Sequence, residues 1–311
     1  DGECQELSLC ALGTDTTDCV AACREPWPEE IAGACAHQAA VALAFRPPPP
    51  DTGTHGEGGP LGVWSDTLTA RGNGFGSELV RHFKVYVPPT YDPRVPTPVV
   101  YMLGGFTVDA YGLSAYTELM RIADLNGLIV AFPQQHYYYF GRDIGWVFAW
   151  NVFPTDWDGG DWQLNPDVDF IRELTTELSR LYNVDRTRVF SSGHSRGAAM
   201  SIILAFELPD VIAGFWSEMG FVGANGYDAR MRERAPMLAR RPPGVLVHGF
   251  WDADVPFRES EVIAETLDSL GWARGEDYLF FEQDYVAHEW QPQFNQPIWD
   301  FLAARGLPVG P

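Results

Sequence analysis

The chain reads as an α/β fold, a mostly parallel central sheet flanked by helices, with a small disulfide-rich module at its N-terminus. Three observations predict this. Strand-like apolar runs alternate with helical patterns from Ser77 onward, as in layered α/β proteins. Two runs, Pro98-Val99-Val100-Tyr101-Met102-Leu103 and Leu128-Ile129-Val130-Ala131-Phe132, are continuously apolar, which suits strands buried on both faces of a parallel sheet. All five cysteines, Cys4, Cys10, Cys19, Cys23 and Cys35, fall in the first 35 of 311 residues.

Residues 1–45 form the cysteine module. A segment this short cannot bury a core of its own, so disulfides are expected to hold it, in an oxidising compartment. A secreted or periplasmic protein is expected. The odd count leaves one thiol over. A zinc site of Cys19, Cys23, Cys35 and His37 is the alternative, although the spacing fits no common finger. An alanine-rich helix is expected from Pro28 to Ala44. Arg46-Pro47-Pro48-Pro49-Pro50 and the Gly-rich stretch to Pro60 read as a stiff, then flexible, linker over residues 46–60. The large domain occupies residues 61–311.

In that domain Phe83, Val85 and Val87 alternate on one face of a strand that stops at Pro88-Pro89, within antiparallel opening strands. A helix is expected from about Ala115 to Asn126, between the two apolar runs. Asn165 caps the clearest helix, with Pro166 in its first turn and Ile171, Leu174, Leu178 and Leu181 on one face. Arg188-Val189-Phe190 leads as a strand into Ser191-Ser192-Gly193-His194-Ser195-Arg196-Gly197, and Ala198 to Leu204 follows as a helix. Further strands are expected at Val211–Trp216, Val245–Val247 and Tyr278–Phe281, and helices at Glu261–Leu270 and Pro297–Arg305.

The formal charge is −21, from 42 acidic against 21 basic residues. Nucleic acid and anionic membrane surfaces would be repelled, so the partner is neutral or small. No apolar run approaches the roughly 18 residues that cross a bilayer.

The strand, G-x-S-x-G turn and helix around Ser195 are the arrangement that exposes a serine nucleophile. A serine hydroxyl needs a histidine base and an acid to orient it, and on this kind of fold they follow in the order serine, acid, histidine. Of the two histidines beyond Ser195, only His288 leaves room for an acid after a further strand. Asp252 and Asp254 both lie at the carboxyl end of the Val245–Val247 strand. Asp252 is preferred because the turn presents it first; the alternative is that either caps the helix near Arg258. His248 is read as holding that loop. The oxyanion donors are the Arg196 amide and, from Leu103-Gly104-Gly105-Phe106-Thr107, the Phe106 amide.

Gly193-His194-Ser195-Arg196-Gly197, the run from His248 to Pro256, and His288-Glu289-Trp290 resemble the extracellular poly(3-hydroxybutyrate) depolymerase, feruloyl and acetylxylan esterase superfamily. Tyr182-Asn183-Val184-Asp185 and Trp150-Asn151 share the resemblance, which spans about residues 75–305. It implies an α/β-hydrolase fold and a serine esterase with the triad Ser195, Asp252 and His288. Gly105, Trp150 and Trp290 are the candidate substrate contacts. No cofactor or metal is called for, and the partner is an ester substrate, including a polymeric one. A short-chain polyester leads as substrate, with feruloyl or acetyl esters of plant polysaccharide second; a serine peptidase or a non-catalytic binding protein are further alternatives.

Two departures stand out. The family usually has a His-Gly pair where this chain has Gly104-Gly105, and a small or amide residue where Arg196 stands. Aromatics crowd residues 137–162, from Tyr137-Tyr138-Tyr139-Phe140 to Trp146, Phe148, Trp150, Phe153, Trp157 and Trp162. They are expected either to line an acyl or polymer groove or to pack an insertion's own core. Asp156-Trp157-Asp158-Gly159-Gly160-Asp161 hints at calcium, but its spacing departs from an EF-hand loop.

Overall fold

The computed structural model describes residues 52–307, apart from 75, 140, 141 and 143. The cysteines, the Pro28–Ala44 helix, the zinc alternative and the proline run lie outside the described residues. The chain opens with β1 (Gly62–Arg71), β2 (Glu78–Val87) and β3 (Thr97–Leu103), then α1 (Ala110–Tyr116) and α2 (Leu119–Asn126). After β4 (Ile129–Pro133) come the paired β5 (His136–Tyr139) and β6 (Trp146–Ala149), then α3 (Pro166–Leu181), β7 (Val184–His194) and α4 (Arg196–Glu207). The remainder is β8 (Gly214–Glu218), α5 (Tyr227–Arg234), β9 (Gly244–Gly249), α6 (Arg258–Ser269), β10 (Tyr278–Gln283) and α7 (Asn295–Ala303).

Eight strands form one sheet in the order β1-β2-β4-β3-β7-β8-β9-β10. β1 and β2 join it antiparallel, and every pairing from β4 to β10 is parallel. The continuous apolar runs are explained by what covers them. Val99, Tyr101 and Leu103 face a core shared with α3, α4, α5 and α6, while Val100 and Met102 face a second core under α1, α2 and α7. Strand order reverses at β3, since β4 lies on one side of it and β7 on the other. Open α/β sheets bind ligands in the crevice at such a switch point.

Several expectations shift. The helix expected from Ala115 to Asn126 is two helices, broken where Glu118 takes φ +56°. The strand expected at Val211–Trp216 begins at Gly214, because residues 211–213 are the turn out of α4. The glycine-rich segment before Pro60 is not slack. Thr54, Glu57 and Gly58 amides donate to the Val184, Arg180 and Leu181 carbonyls. A Cβ on Gly56 or Gly59 would come within 2.3 or 2.6 Å of Tyr182, so these glycines permit contact.

Candidate active site

β7 delivers Ser195 at φ +58° and ψ −121°, a region that a non-glycine residue occupies only when its surroundings enforce it. Here they do. The Ser195 amide donates to the Glu218 carbonyl at 2.9 Å. Ser192 and Ser191 hydroxyls donate to the Tyr101 and Ser201 carbonyls, both at 2.9 Å. Glycine is required on either side: a Cβ on Gly193 would sit 2.3 Å from the Gly197 backbone, and one on Gly197 2.1 Å from the Leu103 carbonyl oxygen. α4 starts at Arg196, directly after the serine, so its first turn of backbone amides opens beside the hydroxyl.

The β9 and β10 ends bring Asp252 and His288 together. His288 Nδ1 donates to Asp252 Oδ2 at 2.7 Å, which leaves Nε2 as the basic nitrogen. Asp252 Oδ1 accepts from the Asp254 and Val255 amides. Burial pushes the Asp252 pKa up, but hydrogen bonds from His248, His288 and Val255 outweigh it and hold the carboxyl well below the usual range. Asp254, the alternative acid, is exposed. His248 is fully buried between the Ser260 hydroxyl at 2.6 Å and the Val255 carbonyl at 3.0 Å. The carbonyl can only accept, so Nε2 carries the proton, and His248 braces the acid loop.

His194 and Glu218 were not singled out from the sequence as parts of this site. The His194 ring lies 4.6 Å from that of His288. Burial, then the nearby His288, drive its pKa down to about 3, so it packs beside the base without charge. Glu218 is fully buried; its carboxylate accepts from the Trp216 indole at 2.9 Å and the Gln291 amide at 2.8 Å. Burial raises its pKa well above the ordinary value, against the pull of those two donors. Through its carbonyl it holds Ser195, and through its side chain the segment after His288. The one visible signal was a carboxylate in an otherwise apolar strand, Gly214-Phe215-Trp216-Ser217-Glu218.

The Gly104–Thr107 loop reaches the serine. A Cβ on Gly105 would lie 3.2 Å from the Ser195 Cβ. Gln135 Nε2 donates to the Gly104 carbonyl at 3.0 Å and the Gly105 carbonyl at 2.6 Å, and the Trp150 indole donates to Gly104 at 3.0 Å. These supply the bracing that a Gly-Gly pair cannot. Thr107, at φ +68°, donates its amide to the Phe148 carbonyl at 2.8 Å, which fixes the loop on the far side of Phe106. Nothing in the sequence marked Gln135.

Arg196 is buried. Its Nε donates to the Trp150 carbonyl at 2.7 Å, and its guanidinium pairs with Asp156. The same Asp156 oxygen accepts from the Val152 and Phe153 amides at 3.0 Å. The guanidinium also lies 5.8 Å from the Phe106 ring and 5.1 Å from that of Phe153, within cation–π range. Arg196 therefore ties the serine turn to the 150–156 loop.

Two residues read as substrate contacts are buried. Trp150 has no exposed surface, and its indole is committed to Gly104. Trp290 is buried against Trp216, its indole donating to the Thr117 carbonyl at 3.1 Å. Both are supports. Gly105, by contrast, lies against Ser195. In the acidic run read as a calcium hint, Asp156 pairs with Arg196 and Asp161 caps the short turn Trp162–Leu164. Among the described residues, the grouping with metal-like spacing is Asp252, Asp254 and His288, the expected acid and base with an exposed neighbour.

A family model described as "Putative esterase" matches residues 77–261. "Putative esterase NocK" of Nocardia uniformis subsp. tsuyamanensis is 27% identical over 51% of this chain and 43% of its own length. "Probable acetylxylan esterase A" of Aspergillus flavus is 29% identical over 42% of this chain and 38% of its own. The chain thus spans less than half the length of these two relatives. Among solved structures, an acetyl xylan esterase from Aspergillus awamori superposes with a TM-score of 0.60 at 16% identity, covering 78% of this chain and 99% of that one. That likeness is one of fold: the α/β-hydrolase arrangement.

Proposed function

The chain belongs to the esterase family, and on that premise we propose that it is a serine carboxylic-ester hydrolase acting on acyl esters of plant polysaccharide. The observation that carries the reading is the strained Ser195 turn, whose His194 ring lies 4.6 Å from that of His288, together with a buried Asp252 hydrogen-bonded to His288 at 2.7 Å. His288 Nε2 takes the Ser195 proton as Oγ attacks the ester carbonyl. The resulting oxyanion is held by the Phe106 and Arg196 amides. Asp252 stabilises the imidazolium, which gives its proton to the departing alkoxide, leaving an acyl-serine. Water, deprotonated by His288, then adds to the acyl carbon; the carboxylic acid leaves and Ser195 regains its proton.

Acetylxylan esterases among the relatives and the solved structures favour a polysaccharide ester. The sequence's first preference is a polyester, and its aromatics at residues 137–162 suit a polyester or a phenolic acyl group, or the packing of an insertion's core. Trp150 and Trp157 are core residues and Phe148, Phe153 and Trp162 are half-buried, while Tyr137, Tyr139 and Trp146 are exposed, so these aromatics are divided between core and surface. An extracellular or periplasmic site of action suits such a substrate and the clustered cysteines. The test is product release from acetylated and feruloylated xylo-oligosaccharides and from 3-hydroxybutyrate oligomers, with Ser195→Ala as control. Faster release from the hydroxybutyrate oligomers would overturn the substrate reading; full activity in Ser195→Ala would overturn the mechanism.

A further inference from the structure

We propose that Trp251 and Tyr285 form a platform on which a neutral pyranose of the leaving group stacks, a proposal that rests on the ester-hydrolase reading above. Both rings are open to solvent, 63% and 76% exposed, and they pair edge to face with centroids 5.0 Å apart at 81°. Large aromatics left in water are costly and, when clustered and held, mark contact sites.

These rings are held. The Phe250 amide donates to the Gln283 carbonyl and the Trp251 amide to the Val286 carbonyl, both at 3.0 Å. The two loops approach so closely that a Cβ on Gly249 would lie 2.1 Å from the Val286 carbonyl oxygen. Tyr285 stands at φ +60°, a conformation that a bulky residue adopts at a price and that clusters at functional sites. The backbone is thus locked in a form that presents the pair outward.

Position names the occupant. Trp251 directly precedes Asp252, and Tyr285 lies three residues before His288. In ester cleavage the imidazolium must protonate the departing oxygen, so the alcohol part of the substrate lies on the His288 side. On a polysaccharide ester that part is a sugar, whose C–H face stacks on aromatic rings. Asp254, Asp284 and Glu289 are exposed on the same loops, and residues 249–257 and 283–291 contain no lysine or arginine. Carboxylates accept from sugar hydroxyls and repel uronates, so a neutral sugar is selected.

The experiment compares acetylated xylotetraose with p-nitrophenyl acetate, which carries no sugar, for the parent, Trp251→Ala, Tyr285→Ala and Trp251→Tyr. The ratio of kcat/KM for the first substrate to that for the second should fall about tenfold in each alanine variant, mainly through KM, equivalent to about 1.4 kcal/mol. Trp251→Tyr, which keeps a stacking face, should restore most of it. A glucuronate-bearing oligosaccharide should be a poorer substrate than its neutral counterpart. In parallel, Ser195→Ala protein titrated with xylotetraose should lose affinity when either alanine is added, a readout independent of turnover. An unchanged ratio and affinity would overturn the platform alone. A parent inert towards both esters would overturn the hydrolase reading and the platform with it.

Discussion

Removing both members of the Arg196–Asp156 pair should destabilise the protein by less than the sum of removing each alone. Their side chains are 8% and 10% exposed, so solvent screens the pair poorly. Asp156→Ala leaves a guanidinium buried among Phe106, Phe153 and Trp150, and Arg196→Met leaves a buried carboxylate that keeps only the Val152 and Phe153 amides. An uncompensated buried charge of this kind costs about 3–5 kcal/mol. Replacing both with apolar side chains removes the charge problem, so the double variant should be less destabilised than the sum of the singles by about 0.5–3 kcal/mol. Urea unfolding followed by tryptophan fluorescence gives the three values, provided the denaturant slope is unchanged. Activity supplies a second readout. Because Arg196 holds the Trp150 carbonyl and Trp150 holds Gly104, the single variants should lower kcat with little change in KM. Single losses below about 1 kcal/mol, or a double loss equal to their sum, would refute the claim that the pair clamps the serine turn to the 150–156 loop.

Asp252→Asn should keep the loop's shape but deprive His288 of its charged partner, lowering kcat by roughly 10³–10⁴-fold, measured on p-nitrophenyl acetate. Gln135→Ala removes the Nε2 that donates to both the Gly104 and Gly105 carbonyls, leaving Gly104 the Trp150 indole; loosening one oxyanion donor should lower kcat about tenfold or more while KM stays within about twofold. Two buried groups set opposite limits on stability against pH. His194 binds a proton at about 6.5 unfolded but only at about 3 folded, so stability falls as pH drops through that window, by up to about 1.4 kcal/mol per unit; His194→Phe should flatten the decline. Glu218 has its folded pKa raised well above 4.5, so its contribution is whole below that value and is lost as pH rises. Glu218→Gln should flatten that alkaline-side slope, read from urea midpoints across the pH range.

The serine turn was legible because its chemistry is local. Gly193 and Gly197 are where backbone crowds backbone, and flanking apolar runs mark a strand and a helix. Asp252 and His288 were legible through chain order and strand ends, without any distance. What escaped depends on residues far apart in sequence. Arg196 meets Asp156 across 40 positions, and Gln135 reaches back some 30 positions to Gly104; neither spacing is periodic. Trp150 and Trp290 were misread because an aromatic residue has the same composition whether it lines a pocket or fills a core. The break at Glu118 went unseen because neither glycine nor proline marks it. β5 and β6 were missed because the run Tyr137 to Trp146 offers no simple alternation.

The two departures from the resembled family, Gly-Gly for His-Gly and an arginine after the serine, belong to one arrangement. A loop that aims amides at the serine must have its carbonyls held on the opposite side. Here that support comes from outside the loop, from Gln135 after β4 and Trp150 after β6, and Arg196 in turn holds the carbonyl of Trp150. A histidine at position 104 competes with this support. A Cβ there would lie 3.1 Å from Gln135 Nε2 and 2.9 Å from the Val108 carbonyl oxygen, so the side chain would displace Gln135 and strain the turn to Val108. Gly104→His should therefore lower kcat/KM on p-nitrophenyl acetate more than Gln135→Ala does. Adding Gln135→Ala to Gly104→His should recover part of the loss, because the space is then vacated. Losses that simply add would show that the two positions do not compete, and that the glycine pair and the glutamine arose as independent features of the loop.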